Sequence, residues 1–477
     1  MAQERLAMSA LNATFAIIGV ALWLEPRLDE SLARVFSLVA SSVALYTAWR
    51  LDQRISNWAA WFFLGYFVLF QVGNLAGALF FGWDVTVLDY PTTFANGIAN
   101  RARVSSYILS GLAASVLGAL HSVMPATRNR VLPAPSERLE RWARLTVILT
   151  APICAGIYVM DARILAQVGY VALYSAEFRS INADVPLRSL WTNLNAVGWA
   201  MWFASVPRER TFKWMAPLFV GLALMDSLKG ARILLLVPVA FVLWYRAYVY
   251  GREKFSLAAK VMLAVSVLAF AFGIEVARRN DGSANEALTG FLVFSVSKAQ
   301  YTLALFLDNR ASLNETQAFW SAPLQFPFTY LMHGTSVVGQ SVASAELRGD
   351  LGHVLSSRLN LGAYLAGAGT GSSLVAEALQ FGVVAMVGLL GIFYGAYRWF
   401  FSRLDRRAFL LLAHLVFQQL VFSPRDTMFP NTWGFAKPMV FFVIVYSLSA
   451  VVDSFDGDWV SPPTEKDPVG PPSKRGA

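Results

Sequence analysis

The chain has 477 residues, of which 56% are hydrophobic and only 14% are charged, whereas a soluble domain carries about 25% charged residues. One globular core cannot hide this much apolar surface, so the composition excludes soluble enzymes and DNA-binding domains and predicts a protein of the lipid bilayer. The net charge of +9 does not indicate a nucleic-acid partner, because Lys and Arg cluster in short gaps between apolar runs, as topogenic charges do.

Apolar runs of the length that crosses a bilayer, about 20 residues, recur along the chain. The sequence therefore predicts an all-α fold, a polytopic membrane protein of about 12 transmembrane helices. The first run is expected to be an uncleaved signal anchor. The fifth and seventh runs are short for a full crossing, and a hairpin of two short helices is the alternative around the turn at 226–232. The predicted spans are 6–24, 32–49, 57–81, 103–124, 145–160, 187–206, 212–226, 231–250, 257–275, 372–396, 408–422 and 437–452.

Charge asymmetry predicts the orientation of these spans. With the N-terminus in the cytoplasm, 22 of the 39 Lys and Arg residues face the cytoplasm, against 11 in the short outer loops. Short loops decide the orientation, because long translocated loops escape the positive-inside rule. We therefore expect a bacterial inner-membrane protein, contacting membrane lipids, with both termini in the cytoplasm.

The predicted spans divide the chain into four parts. Residues 1–275 hold spans one to nine, 276–371 form one large periplasmic loop, 372–452 hold spans ten to twelve, and 453–477 form a proline-rich disordered tail. A loop of this length inside a compact protein is usually functional. Its apolar stretches 301–307 and 326–332 are expected to form interfacial helices.

Several basic residues lie at the predicted outer ends of spans, where topology disfavours positive charge. The planar guanidinium fork suits phosphate oxygens, so an outward cavity lined by these residues would bind a diphosphate. In the alternative interpretation, each arginine reaches lipid headgroups or pairs with a nearby carboxylate. The residues are Lys229, Arg232, Arg278, Arg279, Arg358 and Arg425.

A glycine-rich stretch precedes the predicted tenth span. Four glycines lie between Arg358 and Ser372, and the span is expected to begin with Ser372 and Ser373. A helix N-terminus beside flexible glycines is a natural anion site. Glu377 follows inside the apolar run, where a carboxylate is costly unless it is paired, hydrated or used in function. The functional and the structural interpretation both stay open.

Two features together resemble a known family. After the long outer loop, the chain reads G-T-G-S-S-L-V-A-E-A-L-Q-F-G at 369–382, which is similar to the O-antigen polysaccharide polymerases, Wzy. The turns K-G-A-R at 229–232 and S-P-R-D at 423–426 resemble polar turns of that family and of the related O-antigen ligases. The resemblance implies a GT-C-like architecture.

The resemblance also implies a reaction. A glycan carried by undecaprenyl diphosphate would move to the non-reducing end of a second lipid-linked repeat unit, with a polysaccharide chain-length regulator as a candidate partner. Arginines would stabilise the departing diphosphate, so no cofactor, nucleotide or metal is expected. The candidates for the general base are Glu377, His353 and Asp426, and His333 is a weaker one.

Two alternatives to a polymerase remain at this stage. An O-antigen ligase or another lipid-linked glycosyltransferase would use the same donor and the same arginines. A lipid-linked oligosaccharide flippase or another transporter would also suit twelve spans with both termini inside. Transporters often consist of two related halves with polar sites near the midplane, whereas here the polar residues lie mainly at the outer ends of the later spans.

Overall fold

The computed structural model describes residues 2–25, 27–51, 58–81, 98–124, 132–168, 187–228, 233–251, 295–313, 318–337, 339–367, 369–428, 439–440, 442–444 and 447. These residues form helices joined by turns, with no strand among them. The α-helices are α1 (Ala2–Leu24), α2 (Glu30–Leu51), α3 (Trp58–Phe81), α4 (Asn100–Val123), α5 (Glu137–Val168), α6 (Arg188–Ala204), α7 (Glu209–Ser227), α8 (Ile233–Tyr250), α9 (Ser295–Asn309), α10 (Ala322–His333), α11 (Val342–Leu347), α12 (Leu351–Leu359), α13 (Leu361–Leu365), α14 (Leu374–Leu379), α15 (Val383–Ser402) and α16 (Arg407–Phe422).

Within the described part of the chain, six helices are long and apolar enough to cross a membrane. Helices α3 and α8 contain shorter apolar stretches. The all-α membrane class is therefore confirmed, while the total of twelve spans stays a prediction. The predicted span 257–275 and most of 437–452 lie outside the described residues. The six candidate spans are Gln3–Leu24, Glu30–Leu51, Asn100–Val123, Glu137–Gln167, Val383–Ser402 and Arg407–Arg425.

Helix α4 occupies the centre of the N-terminal half. It packs against α1, α2, α3, α9 and α15, and most of its residues are buried. Its sequence is rich in Ser, Ala and Gly, and such small side chains let neighbouring helices approach closely in a membrane. Helices α5 to α8 and α16 form a second group that packs together. This group shares a continuous apolar core with α4 and its neighbours.

Part of the predicted periplasmic loop belongs to the helical core. Helix α9 lies within residues 276–371 and packs against α3 and α4. Leu303, Ala304, Leu305 and Phe306 are at most 1% exposed, whereas an interfacial helix would present one face to lipid. The expectation of an interfacial helix at 301–307 is therefore wrong. The second stretch, 326–332, lies in α10 and exposes large apolar side chains, among them Phe328 and Met332.

The predicted tenth span is also corrected. Instead of one helix over 372–396, the structure has the six-residue helix α14, a turn and then α15. The turn depends on Gly382, whose φ of +100° is a conformation that residues with a Cβ rarely adopt. The membrane-length helix therefore begins at Val383, and Ser372, Ser373 and Glu377 lie before it.

Candidate functional site

The side chain of Glu377 joins two distant segments of the chain. Glu377 on α14 is fully buried. Its Oε1 accepts a hydrogen bond from the Ser372 hydroxyl at 2.6 Å, and its Oε2 accepts one from the Met428 backbone N–H at 2.7 Å. The carboxyl group therefore connects the glycine-rich loop before α14 to the turn that follows α16.

Gln71 of α3 makes a second link between the same two segments. Its Nε2 donates to the Ser373 hydroxyl oxygen and to the Pro424 carbonyl oxygen, both at 3.0 Å. Gln71 and Ser373 are completely buried. The glycine-rich loop and the S-P-R-D turn are thus held together from two sides.

The S-P-R-D turn presents a guanidinium group and a carboxylate at this junction. Arg425 is half-buried, and its guanidinium carbon lies 5.3 Å from the centroid of the Phe70 ring, a favourable cation–π distance. Within the described part of the chain it forms no ion pair. Asp426 is exposed, and its Oδ1 accepts from the Thr427 backbone N–H at 2.9 Å. A cation without a carboxylate partner among the described residues can bind an anionic ligand without first breaking a salt bridge.

Helix α12 contributes a charged cluster around His353. Asp350 caps the helix, because its Oδ1 accepts the His353 backbone N–H at 3.1 Å. Its Oδ2 lies 2.9 Å from Arg348 Nε and 3.9 Å from His353 Nε2. The other ring nitrogen, Nδ1, forms a hydrogen bond with the Tyr364 hydroxyl. Burial by itself would raise the pKa of Asp350, but the charges of His353 and Arg348 and the backbone hydrogen bond outweigh it and lower the pKa.

Helix α12 is fixed against the glycine-rich loop. A Cβ at Gly352 would lie 3.1 Å from the carbonyl oxygen of Gly371, so the two backbones approach closely only because this position is a glycine. The hydroxyl oxygen of Ser356 accepts the Thr370 backbone N–H at 2.9 Å. The cluster around His353 therefore belongs to the same structural unit as α14.

The surroundings of Glu377 favour its protonated form. Helix α14 lies outside the candidate spans. Burial raises the pKa of Glu377 to about 8, the hydrogen bonds from Met428 and Ser372 oppose the rise, and the charges of Asp426 and Asp350 add to it. These carboxyl groups are thus close enough to influence one another, and at neutral pH Glu377 is mainly uncharged.

Comparison with known proteins identifies the scaffold around this site. The family model of the O-antigen polysaccharide polymerase Wzy matches residues 11–452. The chain belongs to this family. Every residue of the site described above lies inside the matched range. No curated protein and no solved structure matches the chain.

Most of the predicted site residues that the structure describes lie close together in this Wzy protein. They gather where the loop before α14, the turn after α16 and the N-terminal end of α12 meet. The hydroxyl groups of Ser372 and Ser373 are buried and form hydrogen bonds with Glu377 and Gln71. Helix α14 has only six residues, which is too short to provide the helix N-terminus expected for anion binding. The residues brought together are His353, Ser372, Ser373, Glu377, Arg425 and Asp426.

The remaining candidates are not joined to this site by any described contact. Arg358 is exposed in the last turn of α12, and five residues after His353 it lies about 140° further around the helix. His333 is exposed at the end of α10. Lys229, Arg232, Arg278 and Arg279 lie outside the described residues.

Two residues of the Wzy site escaped sequence reasoning. Gln71 is one of two amide side chains inside an apolar run, with Asn74, and its polarity was the available signal, because a polar side chain in a span usually has a specific partner. Asp350 stands directly before a helix, where Asp is a typical N-cap residue. Neither signal by itself indicates a contact with a segment hundreds of residues away, such as the one between Gln71 and Pro424.

Proposed function

We propose that this Wzy protein polymerises lipid-linked repeat units of O-antigen or of another surface polysaccharide, at the periplasmic face of the bacterial inner membrane. The observation that carries the proposal is the junction of the glycine-rich loop and the S-P-R-D turn, which Glu377 and Gln71 hold together beside Arg425. These are the segments on which the resemblance to the family rests, and the family model spans both.

The reaction is a displacement at the anomeric carbon of the donor glycan. A hydroxyl oxygen at the non-reducing end of the acceptor unit attacks this carbon, and the bond to the diphosphate oxygen breaks. The diphosphate leaves with the bonding electron pair on undecaprenyl diphosphate, and the hydroxyl proton passes to a base. Charge grows on the diphosphate during the step, so a guanidinium that binds it more strongly as the charge develops lowers the barrier.

Arg425 is the described residue best suited to bind the diphosphate. Its guanidinium is half-buried, is held over Phe70 and has no ion pair among the described residues. Removal from bulk water strengthens its attraction for an anion. The basic residues predicted at the outer ends of the neighbouring spans would complete the pocket: Lys229, Arg232, Arg278 and Arg279.

The base is drawn from Asp426 and His353 rather than from Glu377. Both oxygens of Glu377 accept internal hydrogen bonds, and its side chain is fully buried. Asp426 is exposed next to Arg425. His353 lies near Asp350, and a neutral imidazole has a ring nitrogen that can accept a proton. Glu377 is assigned the role of fixing the two segments of the site.

The test uses purified protein in proteoliposomes with one lipid-linked repeat unit as the substrate. A ladder of longer lipid-linked products supports the polymerase, a single transfer to an added lipid A core indicates a ligase, and unchanged substrate crossing the bilayer indicates a transporter. Loss of the general base lowers the rate by about 10²–10⁴-fold. We therefore expect a loss of this size from either Asp426→Asn or His353→Gln, and full activity in both variants would exclude both residues as the base.

A further inference from the structure

Gln71 has contacts that packing alone does not require. It is a completely buried amide in the mainly apolar helix α3. The identity of its donor atom follows from its partners, because the Pro424 carbonyl oxygen can only accept a hydrogen bond and must therefore face the NH₂ group. One side chain thus satisfies an acceptor from each of the two segments that form the site.

Gln71 lies where its amide can fix the backbone next to Arg425. Pro424 directly precedes Arg425, and Gln71 fixes the carbonyl group of Pro424. Phe70, the neighbour of Gln71 in α3, packs against the guanidinium of Arg425. Two consecutive residues of α3 therefore hold the backbone and the side chain of the same arginine.

The amide of Gln71 is itself set within a buried polar network. Its Oε1 lies 3.5 Å from the hydroxyl of Ser110 on α4, and this hydroxyl donates at 2.7 Å to Gln300 on α9. Gln300 in turn donates to the Ser106 hydroxyl at 2.6 Å. The network therefore joins α3 to two other helices, α4 and α9, and such connected networks define one arrangement of the groups that they join.

We propose that Gln71 is a positioning residue for Arg425. It places the guanidinium for the diphosphate of a lipid-linked substrate by fixing the Pro424 carbonyl and the Ser373 hydroxyl. The inference rests on the proposed function for the identity of the diphosphate ligand. It gives the third helix a role in the geometry of the site.

Gln71→Met tests the proposal, because methionine has a similar shape but no donor. Asn12→Leu is the matched control: Asn12 is a completely buried amide in α1 whose Nδ2 donates at 2.8 Å to Thr47 and to the Met8 carbonyl. Each variant loses the two hydrogen bonds that its amide NH₂ group donates, and Gln71→Met also loses the long contact with Ser110 at 3.5 Å. We expect Gln71→Met to weaken the binding of inorganic pyrophosphate and to reduce kcat/KM for polymerisation at least tenfold, and Asn12→Leu to change either quantity by less than threefold.

The outcomes separate the two proposals. If the wild-type protein binds pyrophosphate without making a ladder, the proposed function fails, while selective weakening by Gln71→Met still supports the positioning role. Equal effects of the two variants, an unchanged Gln71→Met, or a wild-type protein that does not bind pyrophosphate would overturn that role. Should Gln71→Met fail to fold, Gln71→Asn serves instead, because its amide is one methylene too short to reach both acceptors.

Discussion

Replacing Glu377 with glutamine separates the two roles that a buried carboxyl group can have. In the Glu377→Gln variant, the amide oxygen can accept the Met428 N–H, and the amide NH₂ can donate to the Ser372 hydroxyl, which then reverses its direction. Both contacts of the wild-type side chain, at 2.6 and 2.7 Å, can therefore persist. A carboxyl group that only positions the site tolerates this change, whereas a general base does not.

The size of the effect follows from the pKa. The folded-state value of about 8 lies above the ordinary 4.5, so between these values the folded protein binds more protons than the unfolded chain. Its stability consequently falls as the pH rises through this window and levels off above it, with a slope of at most about 1.4 kcal/mol per pH unit. The variant lacks this titration. It should be less stable than the wild type by about 1 kcal/mol below about pH 4, from the altered hydrogen bonding. The wild type alone loses about 2 kcal/mol between its ordinary pKa of 4.5 and about pH 6, so the variant should be the more stable protein from about pH 6 upward.

Cys154 offers a direct assay of unfolding, because it is the single cysteine of the chain and is buried. A thiol-reactive fluorophore then reports the thermal midpoint of each variant in detergent between pH 5 and 9. Glu346→Gln, at an exposed position of α11, is the control and should follow the wild type. A stability difference between Glu377→Gln and the wild type that does not vary with pH would refute the argument, and a hundredfold loss of polymerisation at unchanged stability would restore Glu377 as the base.

Three further predictions test the surroundings of the site. Arg425→Lys should reduce the rate of ladder formation at least tenfold, because the charge remains while the planar fork and its packing on Phe70 are lost; a wild-type ladder would show that the fork is dispensable. Asp350→Asn keeps the helix cap but leaves Arg348 without its carboxylate. Thermal unfolding should show a loss of about 1–2 kcal/mol at pH 7, and the difference should vanish as the pH falls below the ordinary value near 4, because the lowered pKa stabilises the fold only above it; a loss that persists at low pH contradicts this. A cysteine placed by Ser283→Cys should react with an impermeant reagent added from the periplasmic side, and protection there would reverse the orientation.

The sequence predicted those helices whose apolar runs are uninterrupted. The predicted spans 6–24, 32–49 and 103–124 match α1, α2 and α4 to within a few residues, because a continuous apolar stretch has few other stable forms in lipid. The prediction of one span over 372–396 failed because hydropathy does not detect the backbone conformation of Gly382. The burial of helix α9 was not predicted, because its polar residues, including Gln300 and Thr302, interrupt the apolar pattern although they are buried.

The candidate site was predictable as a set of residue types but not as an arrangement. Glu377 and Asp426 stood out because carboxyl groups are rare in or beside apolar runs. That Glu377 would join the loop before α14 to Met428 could not be foreseen, since the contact depends on how α16 returns to α14. The same reason hid Gln71, whose partners lie more than 300 positions further along the chain.

Helix α9 has a practical consequence for engineering enzymes of this kind. One way to change the sugar preference would be to replace the whole predicted loop with the corresponding loop of a homologue. Here such a graft would remove Leu303 and Phe306 from the apolar core and would leave gaps against α3 and α4, at a cost of about 2–5 kcal/mol for each large side chain lost. Chimaeras that keep residues 295–309 and replace only later parts of the segment should therefore insert and fold, whereas exchange of the whole segment should yield protein that is degraded.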